Sequence, residues 1–360
     1  MLLPRVTVAI IAYYAQFLEE CIASVLAQTY RDIEVIVYDD RSPENLESIV
    51  CKFDDPRLRY VRNEENLGTF GNTNNAIRLC ETEYVNVFHG DDAMLPWMIE
   101  TLVSALDANP GAAFASSKAK SLRPSKFRKL SSSVRKIAHI SGELFKGNEF
   151  VEYFLKTGDY YDVACPSIML RKKDFTRGDL LFSPEVGPAA DLFFVLRANH
   201  AGLGFYLIYN QLMNCRSHAT NWSKTAGDNG EWEKSYRLMD RHLISWGAED
   251  MRRARWHWVR GVIAPCIQSG FSPCMIAKKR EELRGFGWEI EDAEFDLLLQ
   301  RCFKTSLKRV GSGEQRLSDH AVVDKELKEL GFAIPSHTRW KWFFEYVVWQ
   351  RLIGVCSRSE

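Results

Sequence analysis

Apolar positions change period repeatedly along the first hundred residues. Residues 6–11 form an unbroken strand-like run rich in β-branched side chains. Within 17–27, Leu18, Cys21, Ile22, Val25 and Leu26 then recur at the spacing of one helix face. The same alternation predicts strands at 33–38, 58–62 and 84–88 and helices at 45–52 and 72–80. Pro96 opens a further helix to about Ala108, closed by Asn109, Pro110 and Gly111. A strand is expected at 112–116, and the alternation resumes through 163–171, 191–198 and 205–209. From residue 231 onward helix formers and tryptophans dominate. Apolar runs separated by helical patterns imply strands covered on both faces. The expected fold class is therefore α/β, a mostly parallel sheet flanked by helices and followed by a mainly helical C-terminal region. The expected division is 1–224 and 225–360.

Composition narrows the classes. A chain of 360 residues fits two domains, or one with a large appendage. Lys plus Arg and Asp plus Glu are both 47, so the overall balance gives no reason to expect nucleic acid as a partner. The cysteines are odd in number, scattered, and never in a C-x-x-C pair, which argues against a zinc site or a disulfide framework and for a reducing cytoplasm. The first apolar run is short and lacks a small-residue cleavage site, so it is expected to be a strand and not a signal peptide. No stretch reaches the roughly 18 apolar residues of a membrane span. Residues 118–136 hold eight Lys and Arg and no acid, the composition either of a solvated loop or of a loop over a phosphate-bearing acceptor. Residues 338–355 mix Trp340, Trp342 and Trp349 with Arg339, Lys341 and Arg351. This is either a packed helix of the tail or a peripheral membrane contact at the inner face.

Parallel α/β sheets bind ligands at the C-terminal ends of their strands. The second predicted strand ends in Tyr38-Asp39-Asp40-Arg41 and the fourth in His89-Gly90-Asp91-Asp92. Crowded carboxylates at one sheet edge repel unless a cation lies between them, and hard oxygen donors suit Mg2+ or Mn2+.

The ordered pieces Leu18 to Tyr30, Asp39-Asp40-Arg41-Ser42, Asn66-Leu67-Gly68, Asn74-Asn75-Ala76-Ile77 and Gly90-Asp91-Asp92 resemble the family 2 glycosyltransferases of GT-A, Rossmann-like fold. The resemblance covers residue 6 to about 223. It implies that Asp40 contacts the nucleotide base with Asp39 supporting the turn, that Asp91 lies near the donor ribose or sugar, and that Asp92 ligates the metal. Asp191, in Ala189-Ala190-Asp191, matches the family's acid and is implied as general base. His218, in Arg216-Ser217-His218, is implied as a second metal ligand. Ala12, Tyr13, Tyr14 and Asn74 complete the implied donor site. The chain departs from the family at Ala12-Tyr13-Tyr14-Ala15, where Pro-Thr-Tyr-Asn is usual, and at Thr73, where the family has Arg. It has no Gln-x-x-Arg-Trp stretch of the kind found in processive synthases, which implies transfer of a single sugar. The implied activity is inverting transfer from a nucleotide-diphosphate sugar, UDP-sugar favoured, to a glycan or lipid-linked acceptor in bacterial surface polysaccharide or glycolipid synthesis. The alternatives are a sugar nucleotidyltransferase, which would need a Gly-rich loop where Ala12-Tyr13-Tyr14 stands, and a degenerate nucleotide-sugar-binding module.

Overall fold

The computed structural model describes residues 4–122, 140–160, 165–175, 180–218, 230–268 and 273–288, together with Val163, Asn221 and Ala226. Strand β1 (Val6–Ala12) is buried along its whole length, which places it in the middle of the sheet. Its side chains alternate between two apolar layers, as the two-residue strand period demands. Val6, Val8, Ile10 and Ala12 join the layer made with helix α1 (Leu18–Leu26) and helix α4 (Met98–Ala108). Ala9 and Ile11 join the opposite layer, which holds Phe70, Ala76 and Ile77 of α3 (Gly68–Leu79).

Strands β2 (Ile33–Asp39) and β4 (Tyr84–His89) flank β1, and β3 (Leu58–Arg62) lies outside β2; all three pairings are parallel. The short helix α2 (Glu47–Val50) joins β2 to β3. Beyond β4 the nine-stranded sheet becomes mixed, with β5 (Ala93–Met94), β6 (Ala112–Leu122), β7 (Gly142–Phe145), β8 (Met169–Arg171) and β9 (Gly204–Arg216). The order is β3-β2-β1-β4-β8-β6-β9-β5, with β7 also on β9. Strand β8 runs antiparallel to β4 and β6, while β5 and β7 run antiparallel to β9. The parallel expectation thus holds for β3, β2, β1 and β4, and again for β6 on β9. Strands β5, β7 and β8 depart from it, because short strands pair antiparallel without needing a helical crossover.

Four predicted boundaries shift. Helix α3 begins at Gly68, before the helical period is visible, because Gly68 and Gly71 are poor helix formers. Strand β6 runs to Leu122, so Lys118 and Lys120 of the basic stretch belong to a strand; residues 123–139 lie outside the described residues. Strand β9 continues past residue 209 to Arg216. The predicted strand at 163–171 is interrupted by a 3-10 turn, Cys165–Ser167. Pro166 has no N–H for a strand ladder. The Asn86 side chain donates instead to the carbonyls of Pro166 (3.3 Å) and Ile168 (2.9 Å).

Helix α5 (Glu149–Thr157) and helix α6 (Ala190–His200) share the α3-side layer with α7 (Glu231–Ser245), α8 (Arg252–Gln268) and α9 (Pro273–Arg284). Trp258 of α8 is fully buried, with its ring 4.8 Å from Tyr236 and 5.4 Å from Phe154. The expected helix at 338–355 lies outside the described residues. Among the described residues no helix is long and apolar enough to cross a membrane.

Phe114 stacks on Phe205 at 4.8 Å and meets Phe194 at 5.4 Å, joining the sheet to α6. Truncating a large buried ring costs its transfer energy plus the cavity left behind. Phe114→Ala is expected to lower unfolding stability by about 3–5 kcal/mol. Urea denaturation checks this; a loss below about 1 kcal/mol would mean the cluster repacks freely.

Candidate functional site

Three parallel strands end side by side. The register pairs Ala12 with Asp39 and Ile11 with His89, so residues 12–14, 39–42 and 89–92 leave the sheet at one edge. The N–H of Asp40 donates to the Ala12 carbonyl (2.9 Å), and the N–H of Gly90 donates to the Ile11 carbonyl (2.9 Å). A side chain at position 90 would crowd this approach, because a Cβ there would lie 3.2 Å from the Ile11 carbonyl oxygen. That explains the glycine beside the acids.

The β2 turn is built by its own acids. Asp39 is buried and accepts from the Ser42 N–H (2.7 Å) and from the Tyr60 hydroxyl (2.5 Å). Asp40 is also buried. Its Oδ1 accepts from the Leu67 N–H (2.8 Å) and the Asn63 amide (3.0 Å), tying this turn to the segment that opens α3. Arg41, which follows them, holds a left-handed φ of 56°, rare for a non-glycine residue, and donates to the Glu64 carbonyl. On the neighbouring loop the rings of Tyr13 and Tyr14 meet edge-to-face at 5.0 Å, and Tyr14 is 54% exposed. The edge therefore offers an aromatic surface beside a rigid acidic turn.

The β4 turn carries the charge. Strand β5 begins directly after Asp92 and pairs with the end of β9, Ala93 opposite Asn214. This pairing returns residues 215–218 to the acids. The backbone N–H of Arg216 donates to Asp92 Oδ1 (2.7 Å). The Arg216 guanidinium, almost fully buried, donates through Nε to the Asp91 carbonyl (2.9 Å) and pairs with Glu20 (2.5 Å). It also lies 4.1 Å from the centre of the Phe17 ring. His218 Nε2 lies 2.9 Å from Asp91 Oδ2, with Asn221 donating to the same oxygen (3.2 Å), and the His218 ring packs 5.2 Å from Phe17. Phe17 thus floors both residues that return from β9.

Two carboxylates in adjacent positions are costly here. Burial, then the charge of Asp91, pushes the Asp92 carboxyl well above the usual carboxylate range. Donor atoms of His89, Asp91 and Asp92 lie within 4.8 Å of one another, as a shared cation requires. His89 Nε2 is buried without a hydrogen-bond partner, and burial lowers the imidazole pKa, favouring the neutral, metal-competent form. The donor set therefore fits a divalent cation.

Asp191 stands on α6, in its first turn and not at the capping position, which Ala189 occupies. The approach to α6 bends at Gly187 (φ 72°), a backbone angle that suits glycine. Burial raises the Asp191 carboxyl to about 6. The charges of Asp191 and Asp92 both raise the buried thiols of Cys165 and Cys215. A carboxylate raised in this way can accept a proton near neutral pH.

The structure thus brings together Asp91, Asp92 and His218, sets Ala12, Tyr13, Tyr14 and Asp40 along the same edge, and places Asp191 in the first turn of α6. His218 contacts Asp91, and Oδ1 of Asp92 is held by the backbone of β9. The Asn74 amide accepts from the Phe182 N–H (3.0 Å) and donates to the Phe182 carbonyl (2.8 Å). It anchors the loop before α6. A cavity of about 460 Å³ lies beside it, lined by Arg78, Glu185 and Arg197 among others, and it includes none of the strand-end acids.

Residues 7–178 match the family described as glycosyl transferase family 2. The chain carries a family 2 glycosyltransferase domain. A GalNAc(5)-diNAcBac-PP-undecaprenol beta-1,3-glucosyltransferase of Campylobacter jejuni is 33% identical over 113 residues, 30% of this chain and 36% of that protein. The glycosyltransferase GlyG of Streptococcus pneumoniae is 36% identical over 89 residues, 24% of this chain and 30% of that protein. These matches span only about a third of each curated relative's length. The crystal structure of S. aureus TarS 1-349 in complex with UDP-GlcNAc superposes with a TM-score of 0.51 at 15% identity, covering 85% of this chain and 82% of that one. The sheet and its helices thus have the architecture of GT-A glycosyltransferases.

Four residues of the site escape a reading of motifs. His89 had a visible signal, since it directly precedes Gly90-Asp91-Asp92 at a strand end. Arg216 sits two residues before His218 and could have been suspected for the same reason. Phe17 and Cys215 had none, because an aromatic floor and a thiol beside Asp92 emerge only from tertiary packing.

Proposed function

We propose that the chain is an inverting glycosyltransferase that moves one sugar from a nucleotide-diphosphate sugar, with a UDP-sugar the favoured donor, to a glycan or lipid-linked acceptor. The observation that carries this reading is the pairing of a cation-fitting acid turn, Asp91-Asp92, with a separate half-buried carboxylate, Asp191, whose pKa is raised to about 6. In the proposed reaction the acceptor oxygen forms a bond to the anomeric carbon, its proton passes to the Asp191 carboxylate, and the bond from that carbon to the diphosphate oxygen breaks. One displacement inverts the anomeric centre. Mn2+ or Mg2+, when bound, neutralises charge on the departing diphosphate, which removes the need for a general acid. Asp91, Asp92 and His218 are assigned to hold it. Asp40, Tyr13 and Tyr14 are assigned to the base and Ala12 to the adjoining backbone; Asp91 is shared with the donor ribose. Asn74 is assigned to anchoring the loop before α6 through Phe182.

The proposed setting is bacterial surface polysaccharide or glycolipid synthesis at the cytoplasmic face of the membrane. The relative from C. jejuni, named for an undecaprenol-diphosphate acceptor, supports a lipid-linked partner. Thermal shift of the chain against a panel of nucleotide-sugars, with and without Mn2+, tests the donor. One nucleotide-sugar is expected to raise Tm only when metal is present; no shift for any donor would contradict the reading.

A further inference from the structure

The proposed reaction assigns Asp91, Asp92 and His218 to the cation and gives no role to His89, whose donor atom belongs to the same cluster as the two acids. This residue ends β4 with its backbone fixed: its register partner is Ile11, and its carbonyl accepts from the Asp92 N–H (3.2 Å). The side chain therefore has little freedom to leave the acid turn. Its Nε2 is buried with no hydrogen-bond partner, so its lost hydration is not replaced within the protein. Natural cores seldom leave such an atom unused. Meanwhile a His89 donor atom and carboxylate oxygens of Asp91 and Asp92 lie within 4.8 Å of one another. An apolar residue would fill this position without the penalty, so the imidazole is best explained by something that occupies the space between these groups.

We propose that His89 is a nitrogen ligand of the bound cation, and that it sets the site's preference for Mn2+ over Mg2+. The inference rests on the metal reading of the same turn. Magnesium prefers oxygen ligands in a near-ideal octahedron and gives up water reluctantly, so an imidazole contributes little to its binding. Transition metals accept imidazole readily, and affinity for nitrogen sites rises from Mn2+ onward along the divalent series. A cation held by His89, Asp91 and Asp92, with His218 Nε2 2.9 Å from Asp91, would meet nitrogen as well as oxygen donors. Such a set keeps enough oxygen to bind Mn2+ and enough nitrogen to discriminate against Mg2+.

The test uses the full chain and the metals alone. Mn2+ affinity is measured from the loss of the free-ion electron paramagnetic resonance signal, Mg2+ affinity by competition, and nitrogen ligation by electron spin-echo modulation of the bound Mn2+. Wild type is expected to show nitrogen modulation and to favour Mn2+. His89→Ala is expected to weaken Mn2+ roughly tenfold or more, to reduce the nitrogen modulation, and to leave Mg2+ affinity nearly unchanged. His89→Asp, which restores a ligand as oxygen, is expected to recover binding while narrowing the Mn2+ to Mg2+ ratio, and so separates ligation from folding. If Mn2+ binds wild type and His89→Ala alike with the same modulation, the role of His89 is refuted and the metal reading stands. If wild type binds no Mn2+, the metal reading itself falls, and this inference with it.

Discussion

Asp191→Asn is expected to lower sugar transfer by about 10²-fold or more while leaving donor binding unchanged. The substitution keeps the shape of the side chain and an oxygen that can still accept the Leu192 N–H, now 2.7 Å from Asp191 Oδ1. What it removes is the ability to take a proton. The pH dependence provides a second, independent reading. Burial raises the Asp191 carboxyl to about 6, and a general base works only when deprotonated. Wild-type kcat should therefore rise with pH through about 6 and level off above it. In Asp191→Asn that limb should vanish, leaving a low, flat rate. A variant that transfers at the wild-type rate, or that keeps the limb near pH 6, would remove Asp191 from the chemistry.

The second large effect is expected at the acid turn. Asp92→Asn should abolish the metal dependence of nucleoside diphosphate binding, with Mn2+ affinity reduced roughly 10- to 100-fold or more. Its effect on the metal-free protein should run the other way. Burial and the neighbouring Asp91 already disfavour charge on Asp92, so a neutral amide relieves repulsion. The amide oxygen can still accept the Arg216 N–H that now reaches Asp92 Oδ1 at 2.7 Å. Without metal the variant should melt at or above the wild-type Tm; with UDP and Mn2+ wild type should gain stability and the variant should not. Calorimetry and thermal melts with and without Mn2+ check both halves. Unchanged metal-dependent affinity for UDP would contradict the assignment.

The central sheet was legible because its strands are buried on both faces and so read as apolar runs; every residue of β1 is buried. The strand-end acids were legible for the same reason, since parallel strands put their following turns at one edge. The far side of the sheet was less visible. The end of β9 contains Asn210, Gln211 and Asn214, which look like loop residues, yet pairing with β6 and β5 makes them strand. The basic stretch misled for a similar reason. Lys118 looked like part of a solvated loop, but it pairs across β6 with its ammonium 5.4 Å from the Tyr209 ring. Motif order suggested that His218 belongs near the acids, but not which acid it meets. The contact with Asp91 joins residues 127 positions apart and depends on β5 folding back along β9. Asn74 is a similar case: its motif position suggested a donor contact, but not that its amide anchors Phe182.

The central claim is that one sheet edge transfers a sugar with inversion, using a cation at Asp91-Asp92 and a base at Asp191. The most direct measurement is proton NMR of the reaction between the full chain, Mn2+, the donor selected by thermal shift and an acceptor. The account predicts release of nucleoside diphosphate only when divalent metal is present, and a product whose anomeric configuration is opposite to that of the donor. Release that is unaffected by chelation, or a product that retains the donor's configuration, would contradict it.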